Sequence, residues 1–156
     1  MRTIKGFTLI EMVIVMVITG IIVAITATML NTSFINYFTS VHYSSLSTQG
    51  AIAMMRISKE LQQATRFSVI NPTSVTFTTV GGTSISYSWS TPILTRTGSA
   101  ARTLSDDVTN FSLNYYQSNF STTATASAVR AVTVSMTLSN GTESVPLINT
   151  IYLSNM

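Results

Sequence analysis

The chain has 156 residues, of which 46% are hydrophobic and only 8% charged. A soluble domain carries about 25% charged residues, so much of this chain is not built for ordinary solvent exposure. It has no cysteine and one histidine, His42, which excludes a disulfide framework, a cysteine zinc cluster and a thiol nucleophile. A net charge of +3 is too small to imply a polyanionic partner. Serine (22 residues) and threonine (26 residues) supply much of the polarity that charge does not.

Arg2 and Lys5 precede an apolar run, Phe7 to Leu30, whose only charge is Glu11. As a helix this run is about 36 Å long, enough to cross a hydrocarbon core of about 30 Å. It is apolar on every face and too long for the buried core helix of so small a domain. It is also too long for the apolar region of a secretory signal, and Ala24-Ile25-Thr26-Ala27 makes a weak cleavage site. Basic residues precede the run and none follows until Arg56. That bias sets the N-terminus in the cytoplasm and the rest of the chain across the membrane. A carboxylate inside a span costs about 2.5–3.5 kcal/mol on insertion scales, which marks Glu11 as a functional residue.

The string Lys5-Gly6-Phe7-Thr8-Leu9-Ile10-Glu11, followed by an apolar helix, resembles the class III leader of type IV pilins and type II secretion pseudopilins. The resemblance covers residues 1–30. It implies cleavage between Gly6 and Phe7 by a prepilin peptidase on the cytoplasmic side, then N-methylation of Phe7. It also implies the partners: other pilins or pseudopilins, the peptidase, and an inner-membrane platform with its ATPase. Membrane lipid surrounds the helix before assembly. Removal of the leader takes away Arg2 and Lys5 and creates an ammonium at Phe7. This amine and the Glu11 carboxylate each need a partner in an apolar setting. They sit about one turn apart, so some pairing within one helix is open; the resemblance implies pairing between neighbouring subunits.

Residues 31–67 read as the same helix continuing beyond the membrane. Phe34, Phe38 and Val41, then Met54, Ile57, Leu61 and Ala64, recur at spacings of three and four. From Phe7 to about Phe67 such a helix is about 90 Å long. The segment 31–45 is rich in Ser, Thr and Asn and has poor helix propensity, so it is the place for a break. Many major pilins carry a proline in the apolar half; its absence points to a minor pilin or pseudopilin.

Residues 68–156 switch to a period of two. Val75 and Phe77, then Ile85, Tyr87 and Trp89, alternate with hydroxyl residues across a Gly81-Gly82 turn and predict a hairpin. A short strand is expected over Ile93–Thr97, with Arg96 on it. A loop is expected over Gly98–Asp107, a strand over Val108–Gln117, and a polar loop over Ser118–Ser127. The alternation Val132, Val134, Met136, Leu138, the turn Asn140-Gly141 and the strand Val145–Leu153 predict a terminal hairpin. Pro146 demotes the start of its strand to an edge or bulge. The expected fold is α+β: a long N-terminal helix, its apolar half membrane-spanning, with its C-terminal half packed on an antiparallel sheet. The parts are a leader at 1–6, a span at 7–30, an amphipathic continuation at 31–67 and a sheet domain at 68–156.

Chemistry is sparse. His42 lies in the polar half of the long helix and has no nucleophile placed beside it by any motif. Asp106 and Asp107 are the only candidates for a metal, calcium in particular, and read first as a turn. No cofactor is implied. Residues 68–156 hold three basic and three acidic side chains, which gives no footprint for nucleic acid. Trp89, Tyr115 and Tyr116, which stack on bases in some proteins, read instead as strand aromatics. The expectation is therefore a structural subunit, in the inner membrane with its sheet domain in the periplasm, then in a pilus or pseudopilus. The alternatives are an uncleaved, membrane-anchored periplasmic binding module and a membrane-tethered enzyme.

Overall fold

The computed structural model describes residues 6–156, so Arg2 and Lys5, expected to set topology, lie outside the described residues. One helix, α1 (Leu9–Gln62), is followed by eight strands. They are β1 (Ala64–Ile70), β2 (Ser74–Thr79), β3 (Ser84–Ser90), β4 (Ile93–Thr97), β5 (Ala101–Ser105), β6 (Val108–Tyr116), β7 (Ala131–Ser139) and β8 (Ser144–Tyr152). The chain divides into two units, residues 1–41 and 42–156.

The first unit is helix. Every residue from Gly6 to Phe38 is exposed, and none of the apolar span is covered by protein. The hydroxyls along it return to the helix's own carbonyls. Thr26 Oγ1 donates to Ile22 O (2.8 Å), Thr28 to Ile25 O (2.8 Å), Thr32 to Thr28 O (3.1 Å) and Ser33 to Met29 O (2.8 Å). A hydroxyl satisfied in this way adds little cost in hydrocarbon, where no water is at hand. α1 runs on without interruption through 31–45, the segment of poor helix propensity, as one helix.

The second unit packs the last five turns of α1 on strands. The strands form two antiparallel sheets rather than one, a five-stranded meander β1-β2-β3-β4-β5 and a three-stranded meander β6-β7-β8. The two share one core with the helix residues Leu46, Ala53, Met54, Ile57 and Leu61. The period of two holds where it was read. Val75, Phe77, Ile85, Tyr87, Phe111, Leu113 and the row Val132–Leu138 at alternate positions are all buried. Pro146 falls on β8, an edge strand, where its missing N–H costs no ladder bond.

Two expectations are corrected. The helix ends at Gln62, not Phe67, and 64–70 is strand β1. Leu61, Ala64 and Phe67 do lie on one buried side at a spacing of three. However, the last two do so because β1 carries irregularities between Ala64 and Arg66 and between Phe67 and Val69. A bulge inserts one residue and turns a period of two into three. The helix end is held by Asn155 Nδ2, which donates to Gln62 O (2.9 Å). Residues 98–107, expected as loop, contain β5, paired with β4 through Thr95–Thr103 and Arg96–Arg102. Arginines and small polar residues suit an exposed edge strand and hide it from a hydrophobic pattern.

Glu60 fastens the helix to the five-stranded sheet. Its carboxylate accepts from Arg96 Nε on β4 (2.9 and 3.0 Å), from the Tyr87 hydroxyl on β3 (2.5 Å) and from Arg56 Nε one turn back (3.2 Å). The side chains of Glu60 and Arg96 are each 16% exposed. Burial works against the charged carboxylate, yet the bonds from Arg96, Tyr87 and Arg56 outweigh it and hold Glu60 below the usual glutamate range. Burial, then the bond to Glu60, pushes the Tyr87 hydroxyl well above the usual phenol range, so it remains a donor at neutral pH. On the other sheet, Asn149 Nδ2 donates to Ser58 Oγ (2.8 Å). At Gly50 the helix comes so close that an added Cβ would stand 2.4 Å from Leu147 Cδ1.

A carboxyl whose pKa is lowered on folding stabilises the fold above its unfolded value, about 4.3, and loses that contribution as pH falls through the lower folded value. Stability of the wild-type chain is therefore expected to drop as pH falls below about 4.3. A Glu60→Gln variant is expected to be less stable at pH 7, with a smaller drop in acid. Denaturant titrations at pH 7 and pH 3 check this; equal acid sensitivity in both chains contradicts it. Arg96→Met is expected to cost about 1.5–3 kcal/mol, the range for a hydrogen bond to a charged group.

Candidate assembly site at the helix N-terminus

The residues singled out in the sequence, Gly6, Phe7 and Glu11, fall at the start of α1. Gly6, Phe7 and Thr8 precede the first helical residue, Leu9. Phe7 is 81% exposed, and an added Cβ at Gly6 would meet nothing within 4 Å. The Gly6–Phe7 bond thus lies on exposed, non-helical chain.

The site contains one residue that the sequence reading passed over. Thr8 and Glu11 form a reciprocal cap. Glu11 N–H donates to Thr8 Oγ1 (3.3 Å), and Glu11 Oε2 accepts from Thr8 N–H (3.0 Å) and from Thr8 Oγ1 (3.1 Å). Thr-x-x-Glu ahead of an apolar run is the signature of this box, and Thr8-Leu9-Ile10-Glu11 spells it. The cap satisfies N–H groups that no helix carbonyl reaches, and it sets a negative charge at the positive end of the helix. Both contacts from Thr8 land on Oε2, so Oε1 stays open to a further donor.

The other candidates are accounted for elsewhere. His42 is an exposed helix residue. Asp106 Oδ1 accepts from Gln49 Nε2 (3.2 Å). Among the described residues no group of three or more histidine or acidic side chains is placed to hold a metal. Trp89 Nε1 donates to Val108 O (3.1 Å), and the buried Tyr115 donates its hydroxyl to Asn71 O (2.9 Å). Both are anchored in the fold.

A family profile described as the prokaryotic N-terminal methylation motif matches residues 1–27, the stretch that contains the cap and most of the span. This motif is characteristic of type IV pilin and pseudopilin pre-proteins. The chain carries this processing motif at the head of a helix able by length and composition to span a membrane, as structural pilin and pseudopilin subunits do. In that family the motif goes with a pilus assembly machinery. No curated protein matches the chain. The pilin-like architecture agrees: a long apolar helix, able by length and composition to cross a membrane, leads into antiparallel sheet.

Removing the Thr8 hydroxyl tests the cap. Thr8→Ala is expected to cost about 1 kcal/mol at this helix end. In detergent micelles that reads as roughly fivefold faster amide exchange at Glu11 and Met12, whose N–H groups donate to Thr8. Unchanged protection at Glu11 and Met12 contradicts the cap.

Proposed function

We propose that the chain is a membrane-inserted precursor, cut between Gly6 and Phe7, methylated at Phe7 and built into a pilus or pseudopilus through α1. The observation that carries this reading is the bare apolar helix inside the methylation-motif match. Ile10, Met12, Met16 and their neighbours on every side have no protein cover. Two environments suit such a helix, lipid and a bundle of like helices. Transfer from one to the other changes the apolar surroundings little, so close packing and polar pairs decide where the helix docks.

Glu11 supplies such a pair. In the single subunit Thr8 occupies it. Cleavage creates an ammonium on Phe7, and in the filament the Glu11 of one subunit meets the Phe7 amine of a neighbour. A slipped register would leave both charges without a partner in low dielectric, at a cost of several kcal/mol per ion. The pair thus selects register more than it adds affinity. Arg2 and Lys5 hold the leader on the cytoplasmic side until the cut, with the sheet unit across the inner membrane. The prepilin peptidase and an inner-membrane platform with its ATPase act on the chain in turn.

Gly6→Leu is expected to block processing, so that intact-mass analysis finds the uncut chain. Glu11→Ala is expected to insert in the membrane and be processed normally, but to reach the filament fraction at least tenfold less. A wild-type mature N-terminus other than Phe7 contradicts the cleavage assignment and favours the uncleaved anchor. Normal incorporation of Glu11→Ala contradicts the pairing.

A further inference from the structure

Charge is segregated in the unit of residues 42–156. Three of its four carboxylates lie at one end. Asp106 accepts from Gln49 on the helix, and the neighbouring Asp107 accepts through its carbonyl from Ser139 N–H (2.9 Å). Glu143 sits in the turn after Ser139, its carbonyl accepting from Ser139 Oγ (2.8 Å). Among the described residues both ion pairs belong to Glu60, and none of these three carboxylates makes one. Beside them stands Ile93, 43% exposed. Leu94 lies opposite Ser105 in register, and Pro92 O accepts from Val108 N–H (2.9 Å). The corner is acidic with an exposed apolar side chain at its centre.

The helix side turned away from the core carries the converse. Ile52 and Met55 are 60% and 68% exposed, Lys59 follows one turn on, and Arg56 stands beside them with its side chain 48% exposed. The core residues Ala53, Ile57 and Leu61 occupy the opposite side of the helix. With Gln63 these residues border a shallow groove of about 440 Å³. The groove's charged lining is Arg56, Lys59 and Glu60, one positive charge in excess, and Glu60 is already held by Arg56 and by Arg96 from β4.

We propose that the helix face Ile52–Met55–Lys59 of one copy docks on the corner Ile93–Asp106–Asp107 of a second copy of this chain. Charge and apolar content match: two exposed apolar side chains among cations meet one exposed apolar side chain among carboxylates. The two patches are different surfaces of the same unit. Contact between unlike patches, where it does not close reciprocally, repeats head-to-tail from copy to copy, which is the geometry of a filament rather than a dimer. The charges set orientation and speed of encounter, and the apolar contact excludes water. The choice of occupant rests on the filament-subunit reading and deepens it. It also departs from the minor-subunit expectation, because a chain that binds its own copy fills consecutive positions.

The chain has no cysteine, so introduced pairs report unambiguously. The full chain carrying Met55→Cys and Ile93→Cys, expressed in cells with the assembly machinery and mildly oxidised, is expected to give dimers, trimers and a longer ladder. Each single variant is expected to stay monomeric. Adding Lys59→Asp is expected to weaken the ladder at least tenfold, and adding Asp106→Lys to the same chain to restore it. A double-cysteine chain that stays monomeric overturns the proposal, and so does one that links only to other proteins, or a charge swap that fails to restore the ladder. Intact mass of the same samples separates the two claims. Processed, filament-borne chain without a ladder refutes the docking alone. A ladder in unprocessed chain supports the docking and refutes the assembly route.

Discussion

A carboxylate at the head of an apolar helix must be satisfied wherever the helix goes. Glu11 is the only acidic residue ahead of Glu60, and its surroundings up to Phe38 are uncovered apolar side chains. In the isolated subunit Thr8 meets this demand with a hydroxyl and a backbone N–H, while Glu11 returns its own N–H to that hydroxyl. The arrangement is local and needs no partner, so the precursor can wait in the membrane without an orphan charge. It also leaves one carboxylate oxygen open, which lets a stronger, charge-assisted donor join or replace the cap during assembly. On the proposed assembly route, register selection follows from the same constraint, because a slipped position would leave both charges without a partner.

The rest of α1 solves a different problem at each end. In the second half of the span and just beyond it, Thr26, Thr28, Thr32 and Ser33 bond their hydroxyls to carbonyls three or four residues back, so these polar atoms enter an apolar setting already paired. Toward its C-terminus, Ala53, Ile57 and Leu61 enter a core, and the polar atoms are tied to strands instead. Glu60 binds β3 and β4, Ser58 binds β8, and Gln62 O is held by Asn155. Each bond joins the helix to a strand or to the chain's end, and together they span both sheets. The sheets are thus clamped to the C-terminal part of α1 within the unit of residues 42–156.

Most of this was legible in the residues, for physical reasons that also explain what was not. The span and the cleavage-site string are patterns of composition and position, and Val132–Leu138 is a pattern of period two; each survives without tertiary context. The end of the helix was misread because Leu61, Ala64 and Phe67 recur at a helical spacing that a bulged strand reproduces. β5 escaped because Arg102 and its neighbours face solvent on an edge and bury almost nothing. The division into two sheets depends on which edges pair, and no local pattern records that. The Thr8–Glu11 box was present in the sequence, overshadowed by the membrane reading of Glu11. Glu60 lies off the apolar stripe, so no local pattern marks it as part of the packing. Its partners Tyr87 and Arg96 lie 27 and 36 residues away, brought together only by the pairing of β3 with β4.

The central claim is that Glu11 exchanges a partner within its own chain for one in the next. A density map of the assembled filament, resolved well enough to place side chains, tests it most directly. The account predicts Glu11 of one subunit within hydrogen-bond distance of the Phe7 nitrogen of its neighbour. A filament in which Glu11 keeps only its Thr8 contacts, with the neighbouring nitrogen bound elsewhere, contradicts it.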